Sequence, residues 1–337
     1  MICLPRRRTY ENSRASQPLL NSFALPRPTR RRFLWHAAAA AAATWFCPRS
    51  AYGASSSPNL TFPAAPRDRI AIASYPFRDF IAGGDTKPGA TSQIDLKDFA
   101  AHVKEKFGIN KIEPWTGHFP TTDTKYLVQF RTAVEKAGAH IVNVAVDGEN
   151  SPYAADIAER ERAVTFSKQW IDNAVALGAP SIRTNMPSAK DSTPDVNRTA
   201  DSLLRVLEHA AAKNVVVSLE NDNPVSEDPF FIVKVIEKTN SPWLHALPDF
   251  ANTLASSSED HAYAGIDAMF AQAYCICHVK NEETTQAGQL VQVDLLRSFG
   301  YLKQHNYKGY CSMEWDSPGD PYQGTASLIE RTERLLS

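Results

Sequence analysis

The sequence predicts an α/β protein folded as a (β/α)8 TIM barrel, and three observations carry that expectation. Apolar, strand-like runs alternate with amphipathic helical patterns from residue 68 to the end. About eight such pairs can be counted, the number that closes a barrel. Acids and a histidine stand at the ends of the later strands, where barrel enzymes assemble their sites. The competing fold is a doubly wound open sheet, but no Gly-rich phosphate-binding turn follows the first strand.

Each element has a local reason. "RIAIAS" (69–74) reads as a buried strand, and "LKDFAAHVKEKFG" (96–108) as a helix with Leu96, Phe99, Ala100, Val103 and Phe107 on one face. Gly108 closes that helix before "INKIEPW" resumes an extended pattern. The same punctuation recurs where "VEKAG" precedes "AHIVNVAV", "AVALG" precedes "APSIRTN" and "HAAAKN" precedes "VVVSLE". A helix closed by Gly or Asn and followed by a β-rich run is the junction of a βα repeat. "WLHALPDF", "AYCICHVK" and "GYCSMEW" complete the strands, with helical patterns around 261–272, 292–304 and 323–336.

The first 53 residues have another character. They hold nine Arg and one Glu, then the Ala-rich apolar run "FLWHAAAAAAATWF" (33–46) and the small residues of "SAYGA". A basic region, an apolar core and a small-residue cleavage point make an export signal, and "TRRRFL" (29–34) resembles the twin-arginine export motif. Residues 1–53 are therefore expected to be cleaved before Ala54, 54–67 to form a linker and 68–337 the barrel, in an exported, periplasmic or extracytoplasmic protein. Export machinery would then be a partner through residues 29–34. The apolar run is shorter than the roughly 20 residues that span a bilayer, so no stable membrane insertion is expected after cleavage. From −1 overall, removal of the leader leaves −9, a charge that disfavours nucleic acid and anionic membranes as partners. Cys275, Cys277 and Cys311 remain, an odd number that argues against a disulfide framework.

The chemistry is concentrated at four strand ends. Glu220 closes the fifth strand, Asp249 the sixth, His278 the seventh and Glu314 the eighth, at intervals of 29, 29 and 36 residues. Each acid ends an apolar run, where a carboxylate is costly unless a partner meets it. A lone acid there could instead cap the next helix. Four in register on successive strands point to a hard divalent cation held by oxygen and nitrogen ligands. If His278 and Glu314 point inward, period-two alternation sends Cys275, Cys277 and Cys311 outward as packing residues. Glu113, Asn143, Asp147, Arg183 and Asn185 end earlier strands, Lys280 shares a face with His278, and Trp115 and Trp315 could stack on a sugar ring or pack the rim.

At "SLEND", "LPDFAN", "CHVKN" and "YCSMEW" the chain resembles the xylose isomerase-like barrel superfamily, in particular its sugar phosphate isomerase/epimerase group. The resemblance extends over residues 68–337 and implies that Glu220, Asp249, His278 and Glu314 are metal ligands. It implies proton transfer next to a carbonyl through an enediolate, with Glu220 and Glu314 as catalytic acid/base groups. Lys280, Arg183, Glu113, Asn185 and Trp115 are expected to bind substrate. Asp222, Asn252 and Asn281 stand where members often carry histidine, histidine and an acid. The expected cofactor is one divalent metal ion, Mn2+ favoured, with Mg2+, Co2+ or Zn2+ as alternatives. The expected ligand is a small-molecule carbohydrate, and a homo-oligomer is compatible. Rival readings are a lyase or dehydratase of an oxidised sugar, a multi-metal phosphoesterase, which needs more histidines, and a non-catalytic sugar-binding barrel.

Overall fold

A computed structural model describes residues 57–82 and 94–337. The export signal expected over residues 1–53, the motif at 29–34 and the first residues of the linker lie outside the described residues. The strands, in chain order, are β1 (Ile70–Ala73), β2 (Ile81–Ala82), β3 (Ile94–Asp95), β4 (Lys111–Glu113), β5 (His140–Ile141), β6 (Val144–Val146), β7 (Ser181–Thr184), β8 (Val216–Glu220), β9 (Leu244–Leu247), β10 (Ile276–Val279), β11 (Glu282–Thr284), β12 (Leu290–Gln292) and β13 (Tyr310–Met313). The helices are α1 (Phe99–Phe107), α2 (Thr124–Lys136), α3 (Ile157–Leu177), α4 (Val196–Lys213), α5 (Pro229–Thr239), α6 (Asn252–Ser256), α7 (Glu259–Phe270), α8 (Leu295–Gln304) and α9 (Pro321–Leu336).

Parallel ladders run in the order β10-β13-β1-β4-β5 and β6-β7-β8-β9. Two junctions join them into a ring. Trp115 bridges Ala145 between β4 and β6, with Ala145 N–H donating to Pro114 O at 3.0 Å. Ala246 bridges Ala273, and Asp249 bridges His278, between β9 and β10, with His278 N–H donating to Pro248 O at 3.0 Å. The barrel expected from the repeat is the barrel observed. The second junction also sets Asp249 and His278 directly opposite one another.

Two features depart from the expected repeat. The third barrel strand is divided into β5 and β6, because Ser181 Oγ donates to the Val142 carbonyl (3.0 Å) and to Asn143 Oδ1 (2.7 Å) across the gap. A hairpin, β11–β12, follows β10, an insertion that the βα repeat does not contain. The predicted closures hold: Gly178 (φ 77°) and Asn214 (φ 56°) end α3 and α4 in the left-handed conformation that favours those residues. Asp156, Asp195, Asp228, Asp294 and Asp320 cap α3, α4, α5, α8 and α9 by accepting from backbone N–H groups of the first turn. The three cysteines are buried and free, with Cys277 and Cys311 in register and their sulfurs 3.8 Å apart.

The loop after β8 is tied down by a buried acid. Glu227 accepts from Met186 N–H beyond β7 and from Asn223 N–H at 2.8 Å. Burial, and then Asp222 nearby, push its carboxyl up from 4.5 to about 8. The folded protein therefore holds this proton more tightly than the unfolded chain does. That stabilisation is complete below the ordinary value of 4.5 and is lost as pH rises through about 8. Urea titrations across that window should show a steeper decline in unfolding free energy for the wild type than for Glu227→Gln. Glu227→Ala, which orphans two backbone donors, should cost about 2–4 kcal/mol. A wild-type advantage over the Gln variant that grows with pH would contradict this assignment.

Candidate metal centre

"VVVSLEND" ends in three consecutive polar side chains that go to three destinations. Glu220, at the end of β8, is buried and places Oε1 2.7 Å from His278 Nδ1 and Oε2 2.9 Å from Arg183 Nε. Asn221 turns to the neighbouring strand: its amide donates to Asp249 O (3.0 Å) and Thr253 Oγ1 (2.8 Å), and its Oδ1 accepts from Asp249 N–H (2.7 Å). That clamp fixes Asp249 relative to Glu220. Asp222 opens into the cavity above.

Asp249 is used asymmetrically. Its Oδ1 accepts from Ala251 N–H (2.8 Å) and Asn252 N–H (2.7 Å), while Oδ2 is buried with no hydrogen bond. That oxygen lies 4.0 Å from His278 Nδ1 and 3.7 Å from Lys280 Nζ. Glu314 puts Oε2 3.1 Å from the same imidazole nitrogen and 3.4 Å from Lys280 Nζ. Ligand atoms of Glu220, Asp249, His278 and Glu314 all lie within 4.8 Å of one another, and all four residues are buried. On the far side of the ring, His278 Nε2 faces both oxygens of Glu113 at 3.0 and 3.1 Å.

This donor set suits a divalent ion. With its proton on Nε2, bonded to Glu113, the imidazole turns the Nδ1 lone pair towards three carboxylates, the orientation a metal-binding histidine takes from an outer carboxylate. The orphaned Oδ2 of Asp249 supplies a further ligand atom that nothing in the protein satisfies by hydrogen bonding. Three carboxylates and one imidazole fit the hard to borderline divalent ions. None of the three described cysteines belongs to the group.

The electrostatics show how crowded it is. Burial alone would lower the His278 imidazole, but Glu113, Glu220 and Glu314 override it and push the value well up. Burial would raise Glu113 and Glu314, but His278 overrides it for Glu113, and His278 with Lys280 for Glu314, leaving both below the usual carboxylate range. Asp249 goes the other way: burial, with Glu220 and Glu314 beside it, pushes it up to about 7. Lys280 is desolvated, yet Asp249, Glu314 and Glu283 hold its ammonium well above the ordinary range. Desolvation by the cavity walls, and then Glu220, raise Asp222 to about 6.

Glu220 and Glu314 line an open cavity of ≈ 430 Å3, while Asp249 and His278 are fully buried next to them. Of the residues expected to bind substrate, Lys280, Arg183 and Trp115 line it. Two do not. Glu113 is buried behind the imidazole, held by Asn143 (Nδ2 to Oε1, 2.7 Å), and so orients His278 instead of meeting a ligand in the cavity. Asn185 lies past the end of β7, where strand alternation no longer applies. It exchanges hydrogen bonds with the backbone of Gly148 and faces away from the cavity. Trp315 takes the packing alternative of its two readings: it lies so close to α9 that a Cβ at Gly324 would collide with the indole. Trp115 stands edge-on to Tyr75 with centroids 5.2 Å apart and donates Nε1–H to Asp147. Residues that sequence reasoning passed over are Asn221, Tyr75, Asp316 and Glu283 on the hairpin. The only signal for Asn221 was its place after an inward-facing acid.

A family profile for a xylose isomerase-like TIM barrel matches residues 101–335. No curated protein matches the sequence. Among solved structures, a xylose isomerase-like TIM barrel protein from Mycobacterium smegmatis, in complex with magnesium, aligns with a TM-score of 0.61 and 17% identity, covering 82% of this chain and 97% of that one. D-allulose 3-epimerase from Methylomonas sp. aligns with 0.61 and 14%, covering 82% and 100%. 3-Keto-D-glucoside 4-epimerase from E. coli aligns with 0.58 and 15%, covering 79% and 99%. At these identities the structural likeness speaks for the fold. With the barrel closed at Asp249 and His278 and the family profile spanning most of the chain, the protein belongs to the xylose isomerase-like TIM barrel family.

Proposed function

We propose that the protein is a divalent-metal-dependent isomerase or epimerase that moves a proton next to the carbonyl of a sugar or sugar derivative. The observation that carries this reading is the convergence of His278 Nδ1, Glu220, Glu314 and the unsatisfied Asp249 Oδ2, with Glu220 and Glu314 lining an open polar cavity. A divalent ion held there, Mn2+ in this reading, supplies Lewis acidity that weakens a C–H bond beside a carbonyl. The family and the sugar epimerases among the structural neighbours support the same class.

The chain's own residues divide the work. Glu220 and Glu314 both reach the cavity, from β8 and from the end of β13, and are the carboxylates that take up and return the proton. Arg183 fixes Glu220 from behind through its Nε contact. Lys280, steadied by Asn252 Oδ1 at 2.7 Å and Glu283 at 3.1 Å, offers an ammonium to an oxygen that gains charge. The basic and apolar pattern of residues 1–53 supports export as the route to an extracytoplasmic site, with the twin-arginine route allowing the metal to be bound first.

Purified without chelator, the protein should hold about one divalent ion per chain, and a Glu220→Gln, His278→Ala double variant should hold none. Asp249 and His278, both raised, must shed protons to ligate. Mn2+ affinity measured calorimetrically should therefore weaken as pH falls through about 7. Glu113→Gln should weaken Mn2+ binding by about 10–100-fold while the fold persists by circular dichroism. Unchanged affinity would return Glu113 to a packing role. In D2O, the loaded enzyme should exchange the proton next to the carbonyl of a keto sugar, and Glu220→Gln or Glu314→Gln should slow exchange by about 10²–10⁴. Release of an elimination product would favour a lyase instead.

A further inference from the structure

The charge of the cavity narrows the substrate further, an inference that rests on reading the cavity as a sugar site. Six carboxylates line it, Asp147, Glu220, Asp222, Glu283, Glu314 and Asp316, against two cations, Arg183 and Lys280. Both cations are committed. Arg183 is paired with Asp147 and Glu220. Lys280 is surrounded by Glu283, Glu314, Asp249 and Asn252. Arg78, at the border, is paired with Asp316 at 2.6 Å and lies over the Tyr75 ring. A divalent ion held at Glu220 and Glu314 still leaves two more negative charges than positive ones among these lining groups.

Barrels often bind a phosphate at helix N-termini beyond the seventh and eighth strands. Here the chain's own carboxylates already take one backbone N–H at each. Asp294 caps α8 by accepting from Arg297 N–H at 3.0 Å, and Asp320 caps α9 by accepting from Tyr322 N–H at 2.9 Å. Among the residues lining the cavity, then, each cation already has carboxylate partners, and Lys280 is the one placed to meet the oxygen that gains charge, so neither is left over for an anionic substituent. Asp222 is the opposite case: it faces the cavity two residues past Glu220 and makes no hydrogen bond or ion pair with another described residue. A carboxylate accepts from hydroxyl groups and repels anions.

We propose that the substrate is an uncharged polyhydroxy compound, a free keto sugar or a keto glycoside, and that Asp222 selects it by accepting from its hydroxyls and excluding phosphorylated and acidic analogues. The test is binding, which does not require turnover. D-fructose and D-fructose 6-phosphate would be titrated calorimetrically into the Mn2+-loaded protein at low and high NaCl, with metal content measured throughout. The neutral sugar should bind at least about 10-fold more tightly, and the gap should narrow as salt screens the carboxylates. Asp222→Asn should narrow it at low salt, and Asp222→Lys should close or reverse it, with the metal retained in both. Tighter or equal binding of the phosphate by the wild type overturns the proposal, as does a preference that neither Asp222 variant changes. Turnover of phosphorylated sugars would overturn it and leave the isomerase reading standing. A neutral preference without proton exchange on any keto sugar would sink the isomerase reading and leave this one. Binding of neither sugar overturns both.

Discussion

The arrangement depends on one imidazole. His278 is buried between Glu113 on Nε2 and three carboxylates on Nδ1, and each neighbour is held by a further contact. Asn143 holds Glu113, Arg183 holds Glu220, and Asn221 with two backbone N–H groups holds Asp249. Four carboxylates without water around them would be prohibitive alone. Without a metal, positive charge at His278, Lys280 and Arg183 offsets them. A divalent ion bound by the group would take the place of the Nδ1 proton.

Barrel closure and site assembly are the same event. The junction that closes β9 onto β10 pairs Asp249 with His278, so any slip in that register would separate the two side chains. The tolerance of the fold for sequence change, visible in neighbours below 20% identity, is compatible with this because the constraint falls on a few strand ends. The walls above are built by less regular pieces: the tethered loop after β8, the hairpin β11–β12 and the aromatic pair of Tyr75 and Trp115. These set the charge and shape that a substrate meets.

Legibility in the sequence followed the regular periodicities. Apolar runs ending on Glu220, Asp249 and Glu314 revealed both strand and site, because a strand places the last residue of each run at one rim. Gly178 and Asn214 marked helix ends because left-handed backbone favours those residues. Residues just past the strand ends follow no such period. Arg183 lies within β7 and points to the cavity, while Asn185 lies one residue beyond it and bonds to Gly148. Glu113 ends its strand as expected, yet its height in the barrel sets it behind His278 instead of above it.

The sequence by itself determined the repeat, the strand count and the identity of four converging side chains, since these follow from periods of 2 and 3.6 residues and from the cost of burying a charge. Only the tertiary structure decided which neighbours each side chain meets: that Glu113 orients the imidazole, that Asn221 clamps the next strand, and that Arg183 and Lys280 are already paired. Those facts depend on relative height and stagger across strands separated by up to 165 residues along the chain, and no local pattern encodes them.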